Sequence, residues 1–288
     1  MKAPAVPDPT LPDPDLPDPT LIYRTRLPIR LWHWTNACAL FVMLMSGMMI
    51  FNAHPRLYWG AFGANPDYAW LEIGNHGTHG FLTVAGLTIP TTGVLGYAMG
   101  TDEAFPPLVT IPTHYSLAIA REWHFAFAWV LALGWLVFTF YAIISKHLWR
   151  DLLLKRQEAS LAHLWHDIKN HARLRLPRGE AARHYNALQK LAYLAVLGAG
   201  IPAMILSGLA MSPTMDAAWP WLLVLFDGRQ SARSVHFICA AGLALFIAGH
   251  LAMVVLAGPI NELRSMITGW YRLPPERPVA EGVAEDAA

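Results

Sequence analysis

The sequence predicts an all-α fold: an integral membrane four-helix bundle with a long outer loop and an amphipathic helix on the inner membrane surface. Of 288 residues, 55% are hydrophobic and only 14% are charged, about half the charged share of an ordinary soluble domain. Four apolar segments reach the length of about 20 residues that a membrane helix needs. Twelve Trp and nine Tyr supply rings that favour the membrane interface. A lipid bilayer is therefore the expected environment, and no nucleic-acid partner is expected.

The two ends of the chain are predicted to be disordered. The first 22 residues hold the repeat Pro-Asp-Pro at five-residue intervals, and proline at alternate positions excludes helix and interior strand. The stretch from Leu273 to Ala288 is polar and contains proline, so it is expected to be disordered too. Residues 23–272 between them form the predicted membrane domain.

The four predicted membrane helices cover about residues 29–51, 123–144, 188–211 and 234–257. A fifth segment, residues 80–100, is mostly uncharged but contains five Gly, four Thr and the sequence Ile89-Pro-Thr-Thr-Gly93, which makes a poor helix. It is interpreted as a re-entrant or surface loop.

Positive charges predict the orientation of these helices. The loop between helices two and three carries nine Lys or Arg against four acids, whereas the outer loops carry four Arg against seven acids. Lys and Arg concentrate on the cytoplasmic side of membrane proteins, so four helices with both termini in the cytoplasm satisfy the rule. Five helices would place the basic loop outside.

The basic loop contains a predicted helix of its own. Apolar side chains recur at three- and four-residue steps, with Lys169 and Arg173 nearby, at Leu161, Leu164, Trp165, Ile168 and Ala172. This pattern predicts an amphipathic helix on the inner membrane surface; an ordinary solvated helix is the alternative.

Four histidines fall at matching depths in the predicted helices. His236 and His250 lie 14 residues apart in helix four, so both leave one helix face with a rise of about 21 Å between them. His124 opens helix two on the outer side, and His33 opens helix one on the inner side. Depth alone therefore pairs His124 with His236, here called the outer pair, and His33 with His250, the inner pair.

This arrangement predicts two haem b groups, each with two axial imidazole ligands from facing helices. The predicted partners of the haem propionates are arginines, Arg121, Arg229 and Arg233 outside and Arg26 and Arg30 inside. Glycines in each helix could give a porphyrin room: Gly47, Gly134, Gly208 and Gly242. The alternative from another class is a haem-free transporter in which the histidines relay protons.

Other residues carry weaker signals. His76 and His79 could bind a metal but are interpreted as solvent-facing, and Cys38 and Cys239 lie in apolar segments as packing residues. Quinone contact is assigned to polar residues near the inner membrane edge, where a carbonyl needs a hydrogen-bond donor beside an apolar slot. These candidates are Asn36, Tyr185, Asn186, Gln189 and Lys190.

At these residues the chain resembles the bacterial di-haem cytochrome b membrane subunits of the cytochrome b561 superfamily, most closely those labelled thiosulfate reductase cytochrome b subunit. Formate dehydrogenase gamma subunits and nickel–iron hydrogenase cytochromes b are more distant relatives. The resemblance runs from about residue 23 to 272 and rests on five stretches, those at 26–36, 51–60, 92–96, 228–237 and 263–269.

The resemblance implies haem ligands on helices one, two and four, which fall on the same four histidines, and a quinone site near the inner haem. It also implies a respiratory-chain subunit of the bacterial inner membrane that links quinone to a periplasmic oxidoreductase, commonly a molybdopterin enzyme. The chain would then be an electron-transfer subunit rather than the substrate-converting one. The alternative is a stand-alone quinone-linked oxidoreductase that acts on a small oxidant such as superoxide.

Overall fold

The computed structural model describes residues 21–156, 158–173 and 186–273, without the side chains of residues 171 and 172. In chain order the elements are β1 (Leu21–Tyr23), α1 (Leu27–Asn52), β2 (Arg56–Leu57), β3 (Leu71–His76), β4 (His79–Val84), β5 (Leu87–Pro90), α2 (Leu117–Ile144), α3 (Leu161–Ala172), α4 (Ala187–Leu194), α5 (Ile201–Met211), α6 (Pro213–Ala218), α7 (Trp221–Leu225), α8 (Arg229–Ala257), α9 (Pro259–Thr268) and β6 (Trp270–Arg272).

Four helices in the described part of the chain are long and apolar enough to cross a membrane, which confirms the predicted bundle. They are α1, α2, the continuous segment Ala187–Ala210 and α8. All four begin before the predicted residue, and α2 and α8 do so by six and five residues. Ser116 caps α2 by accepting from the backbone N–H of Ile119, and α8 opens with a polar turn that a search for apolar residues passes over.

The third membrane helix is locally widened into a π-helical segment, Ala195–Gly200, between α4 and α5. Pro202 follows it, and proline lacks an N–H and crowds the carbonyl four residues before it. A π turn re-registers the backbone at such a point. The indole N–H of Trp135 on α2 donates to the carbonyl of Leu197 at 2.8 Å, so a carbonyl of the widened turn gains a partner.

The helices pack through a small central core and leave many apolar side chains exposed. Ala39, Met43, Leu131, Met204 and Leu243 form the buried cluster between α1, α2, α5 and α8. Large apolar side chains point outward along the same helices, among them Phe41, Trp129, Val137, Phe140 and Leu245. A soluble bundle would bury such residues, whereas contact with lipid tails accounts for their exposure.

The segment between α1 and α2 forms a four-stranded antiparallel sheet, in the order β2-β3-β4-β5; residues 53–116 are called the cap. Two-residue turns join its hairpins, at Gly77-Thr78 and at Ala85-Gly86. Gly77, Ala85 and Gly86 all have positive φ, as tight hairpin turns require. Residues 80–100, interpreted as a re-entrant or surface loop, instead supply β4, β5 and a turn, and strands this short cannot cross a bilayer.

The cap covers one end of the bundle. The backbone N–H groups of Gln230 and Ser231 at the start of α8 donate to the carbonyl of Gly60. The cap's apolar core, built on Leu57, Leu71 and Ile73, packs against Phe237 of α8. The cap is thus attached at the end of the bundle where α1 ends and α8 begins.

A two-stranded sheet closes the opposite end. β1, before α1, pairs antiparallel with β6, after α9, and the hydroxyls of Thr25 and Ser265 lie 3.0 Å apart. The chain therefore enters and leaves the bundle on one side, as an even number of crossings requires. Leu21 and Ile22, assigned to the disordered arm, belong to β1; residues 1–20 and 274–288 lie outside the described residues.

The amphipathic helix predicted in the basic loop is α3, Leu161–Ala172. Leu161, Trp165 and Ile168 on its apolar face are exposed, which fits a helix that lies on a membrane surface. Glu158, just before α3, accepts two hydrogen bonds from Lys190 of α4 at 2.9 and 2.8 Å. This ion pair joins the loop to the third membrane helix.

Candidate functional site

The structure brings together the outer histidine pair. His124 extends from α2 and His236 from α8, and their ring centroids lie 6.2 Å apart with planes inclined at 59°. The pair lies toward the cap, since Phe237, the next residue after His236, packs on the cap's core.

A serine and a glycine hold each ring of the outer pair in the same way. Ser46 Oγ lies 3.0 Å from Nδ1 of His124, and Ser207 Oγ lies 3.0 Å from Nδ1 of His236. The residue after each serine is glycine. A Cβ built on Gly47 would lie 3.3 Å from Cε1 of His124, and one built on Gly208 would lie 3.3 Å from Cε1 of His236.

The inner pair has the same separation but a different surrounding. The rings of His33 and His250 have centroids 6.2 Å apart and planes inclined at 57°. Trp34 meets His33 edge-on, and Phe246 stacks on His250. Nδ1 of His33 is buried without a hydrogen-bond partner among the described residues.

Each pair offers two nitrogen ligands to one metal ion. Two metal–imidazole bonds of about 2.0–2.1 Å, together with the distance from each nitrogen to its ring centre, give a centroid separation of about 6 Å. In the described chain no three His, Cys, Asp or Glu side chains cluster to hold a metal. A metal held by only two protein ligands needs the rest from elsewhere, and a porphyrin supplies four nitrogens around iron.

The five arginines assigned to propionates lie in different surroundings. Arg26 is exposed just before α1, and the guanidinium of Arg121 lies over the ring of Phe125. The other three make hydrogen bonds within the chain: Arg30 donates to Ile267 O, Arg229 to Asp216 and Arg233 to Arg56 O and His54 O. Arg233 therefore anchors the cap to α8.

The polar residues assigned to quinone mostly hold the start of the third membrane helix. Asn186 and Gln189 form a capping box, and the buried Lys190 binds Glu158. Asn36 is half-buried on α1. Tyr185 lies outside the described residues. Three of the five candidates, Asn186, Gln189 and Lys190, therefore make their hydrogen bonds to other groups of the protein.

Comparison with known proteins identifies the kind of protein. Residues 24–269 match the family model described as prokaryotic cytochrome b561. The chain belongs to the prokaryotic cytochrome b561 family. It is therefore a multi-pass membrane cytochrome b, a protein that binds haem b and transfers electrons. Membership of a haem b family contradicts the alternative of a haem-free transporter.

Several members and relatives show how far the similarity extends. The chain is 30% identical over 249 residues, 86% of its own length and 98% of the other, to an Azospira oryzae protein named as the protein-methionine-sulfoxide reductase subunit YedZ1. It is 26% identical over 211 residues, 68% of its length and 85% of the other, to an Azotobacter vinelandii protein named as a Ni/Fe-hydrogenase B-type cytochrome subunit. No solved structure matches the chain.

Two features of the cytochrome could not be predicted from the sequence. The first is the pair of serines, since Ser46 and Ser207 resemble any serine in an apolar helix. The repeated dipeptide Ser-Gly is the only sequence signal that distinguishes them.

The second feature is an apolar groove of about 420 Å³ between the start of α1 and α9, lined by Leu27, Arg30, Leu31, Trp34, Met266 and Ile267. Trp34 contacts the ring of His33 edge-on, so the groove adjoins the inner pair.

Proposed function

We propose that this cytochrome binds two haems b, of which one would be held by His124 and His236 and the other by His33 and His250. The observation that carries the proposal is the pair of equal 6.2 Å ring separations on facing helices. Bound haem b supplies a one-electron ferric–ferrous couple. The rise of about 21 Å along α8 between His236 and His250 supports a site for one pair near each membrane face.

We propose that a membrane quinone reacts at the inner end, in the groove between α1 and α9. The groove is apolar and adjoins the inner pair, as a quinone ring beside a haem requires. Nε of Arg30, one of its lining residues, is buried without a hydrogen-bond partner in the described part of the chain. It is the donor available to a quinone carbonyl or to a propionate of the inner haem.

The outer end is proposed to serve a partner redox enzyme subunit in the periplasm, of the molybdopterin type that the family resemblance suggests. The relatives support a partner, since they are named as subunits of a methionine-sulfoxide reductase and of a hydrogenase. The cap presents exposed apolar side chains beyond the outer pair, among them Tyr68, Leu87 and Met99.

The proposed location is the bacterial inner membrane, with both termini in the cytoplasm. The β1–β6 pairing supports termini on one side. The basic loop that carries Lys155, Arg156 and Lys169 lies between the second and third membrane helices, which is the same side, and the positive-inside rule makes that side cytoplasmic.

The haem content tests the central proposal. A pyridine haemochrome assay of purified protein should give two haems per chain, and a value of zero or one would refute the two-haem proposal. His124→Ala and His236→Ala should each remove the outer haem, and His33→Ala and His250→Ala the inner one. Because both ligands of a pair act on one iron, haem losses within a pair should not add.

His79→Ala is the matched control. His79 is exposed on the cap, so this variant should keep both haems bound.

The same purified protein tests whether the cytochrome has a partner. A subunit should co-purify with a periplasmic redox enzyme, whereas turnover of a small oxidant by the chain alone would favour the stand-alone oxidoreductase.

A further inference from the structure

We infer that Ser46 and Ser207 are positioning residues that fix the tautomer and the ring orientation of the outer histidine pair. The inference rests on the proposed haem site at that pair. The two serines lie on different helices, α1 and α5, yet each hydroxyl oxygen stands 3.0 Å from an Nδ1 nitrogen. Both serines are fully buried, so no bulk water competes for these contacts.

The direction of each hydrogen bond follows from the bonds that the serines make to their own helices. Ser46 Oγ donates to the carbonyl of Val42 at 2.7 Å, and Ser207 Oγ donates to the carbonyl of Ala203 at 2.6 Å. A hydroxyl has one proton. Once that proton goes to the carbonyl, the oxygen can only accept, so Nδ1 of the histidine must carry the hydrogen.

The consequence for the imidazole is a single tautomer. A neutral ring with its proton on Nδ1 leaves the lone pair of Nε2 free to bind a metal. The same hydrogen bond limits rotation of the imidazole ring about the Cβ–Cγ bond of the histidine. Gly47 and Gly208 add a steric limit, because a Cβ at either position would lie 3.3 Å from Cε1 of the facing ring.

The site is therefore two copies of one half-site, each made of a Ser-Gly step on one helix and a histidine on the next. Ser46-Gly47 on α1 faces His124 on α2, and Ser207-Gly208 on α5 faces His236 on α8. In the inner pair, His33 has no such hydrogen bond to a serine, because its Nδ1 has no partner among the described residues. The two sites thus differ in how the protein supports their ligands.

A hydrogen bond from Nδ1–H makes an imidazole more basic toward the metal on its other nitrogen. Such support favours the ferric state and slows loss of the cofactor. Removing one hydroxyl should therefore raise the midpoint potential of the outer haem and weaken its retention, while the inner haem stays as it is. The symmetry adds a sharper expectation: both serines should matter equally.

The test uses the full-length protein in nanodiscs with Ser46→Ala, Ser207→Ala and the double variant. Each single variant should lose its outer haem to apomyoglobin about tenfold faster, the lower end of the range for loss of such a supporting contact. Its outer haem should also show a higher midpoint potential and a shifted low-field EPR signal, which reports the angle between the two imidazole planes. Ser46→Thr keeps the hydroxyl and should restore the wild-type values.

Ser265→Ala is the control for loss of a buried serine hydroxyl, since its partner is Thr25 and not a histidine. Wild-type haem loss, potential and EPR signal in both single alanine variants would overturn the inference. A wild-type protein with fewer than two haems would instead overturn the proposed function itself. The two failures are distinguishable because the haem content is measured first.

Discussion

Replacing Gly47 or Gly208 by alanine should displace an outer histidine ring, and the structure sets the size of the effect. The new Cβ would lie 3.3 Å from Cε1 and 3.7 Å from Nδ1 of the facing imidazole. Alanine gains about 0.8–1.0 kcal/mol over glycine inside a helix. Overpacking a well-filled core costs about 1–3 kcal/mol. The net expectation is a loss of about 0–2 kcal/mol in the free energy of unfolding.

The ring displacement separates this variant from a simple stability change. Thermal unfolding and the optical spectrum of the reduced protein should be measured together, with Gly198→Ala as the control. A Cβ at Gly198, an exposed position on the third membrane helix, meets nothing within 4 Å, so that variant should keep both haems without losing stability. If Gly47→Ala and Gly208→Ala were stabilised, with the outer haem unchanged, the steric argument would be refuted.

Three further predictions concern the ends of the bundle. Reporter fusions after Ala159 and Gly269 should read cytoplasmic and one at Asp102 periplasmic; a cytoplasmic signal at Asp102 would contradict the topology. Arg30→Ala should raise the KM for quinol with both haems retained if Nε serves the quinone, whereas loss of the inner haem would assign Arg30 to a propionate. Partial burial would raise the pKa of Glu158, but its hydrogen bonds from Lys190 outweigh this and lower the pKa. Its stabilisation is therefore present above the ordinary carboxyl pKa of about 4.3 and is lost as the pH falls through the lowered value. Glu158→Gln should weaken the protein at neutral pH, by about 1.5–3 kcal/mol for hydrogen bonds to a charged group, and flatten the acid limb of unfolding temperature against pH.

The four membrane helices and the pairing of the four histidine rings could be predicted from the sequence because both depend on periodicity and length. Apolar runs of about 20 residues and a 14-residue spacing are one-dimensional signals. The ends of the helices were harder to predict from the sequence. The polar first turn of α8, for example, donates hydrogen bonds to the carbonyl of Gly60, which is far away in the chain.

The cap sheet was missed for a different reason. Its strands are short and contain Gly and Thr, so no long apolar run in the sequence indicates them. The signal was in the turns, where Gly77 and Ala85-Gly86 separate segments that pair in register. The groove at Arg30 and the Ser–His contacts are formed by side chains from helices that are distant in sequence. A single sequence does not show which of these side chains lie close together in space.

The structure divides the cap into two parts with different proposed roles. Leu57, Leu71 and Ile73, on β2 and β3, pack with Phe51 and Phe237 over the outer end of the bundle, so this part shields the outer pair from water. β5 is different, because all four of its residues are exposed. An exposed edge strand with apolar side chains is a surface suited to a protein partner.

Substitution on β5 therefore tests docking without disturbing the shield. Leu87→Lys with Ile89→Lys places two charges at exposed positions, so the fold and both haems should be retained. The rate at which quinol-reduced cytochrome passes electrons to its co-purified partner should fall at least tenfold, because charged side chains are disfavoured at the centre of an interface. Val94→Lys, also exposed on the cap, is the control and should change the rate little. A normal rate in the double variant would show that β5 takes no part in docking and would leave shielding as the role of the cap.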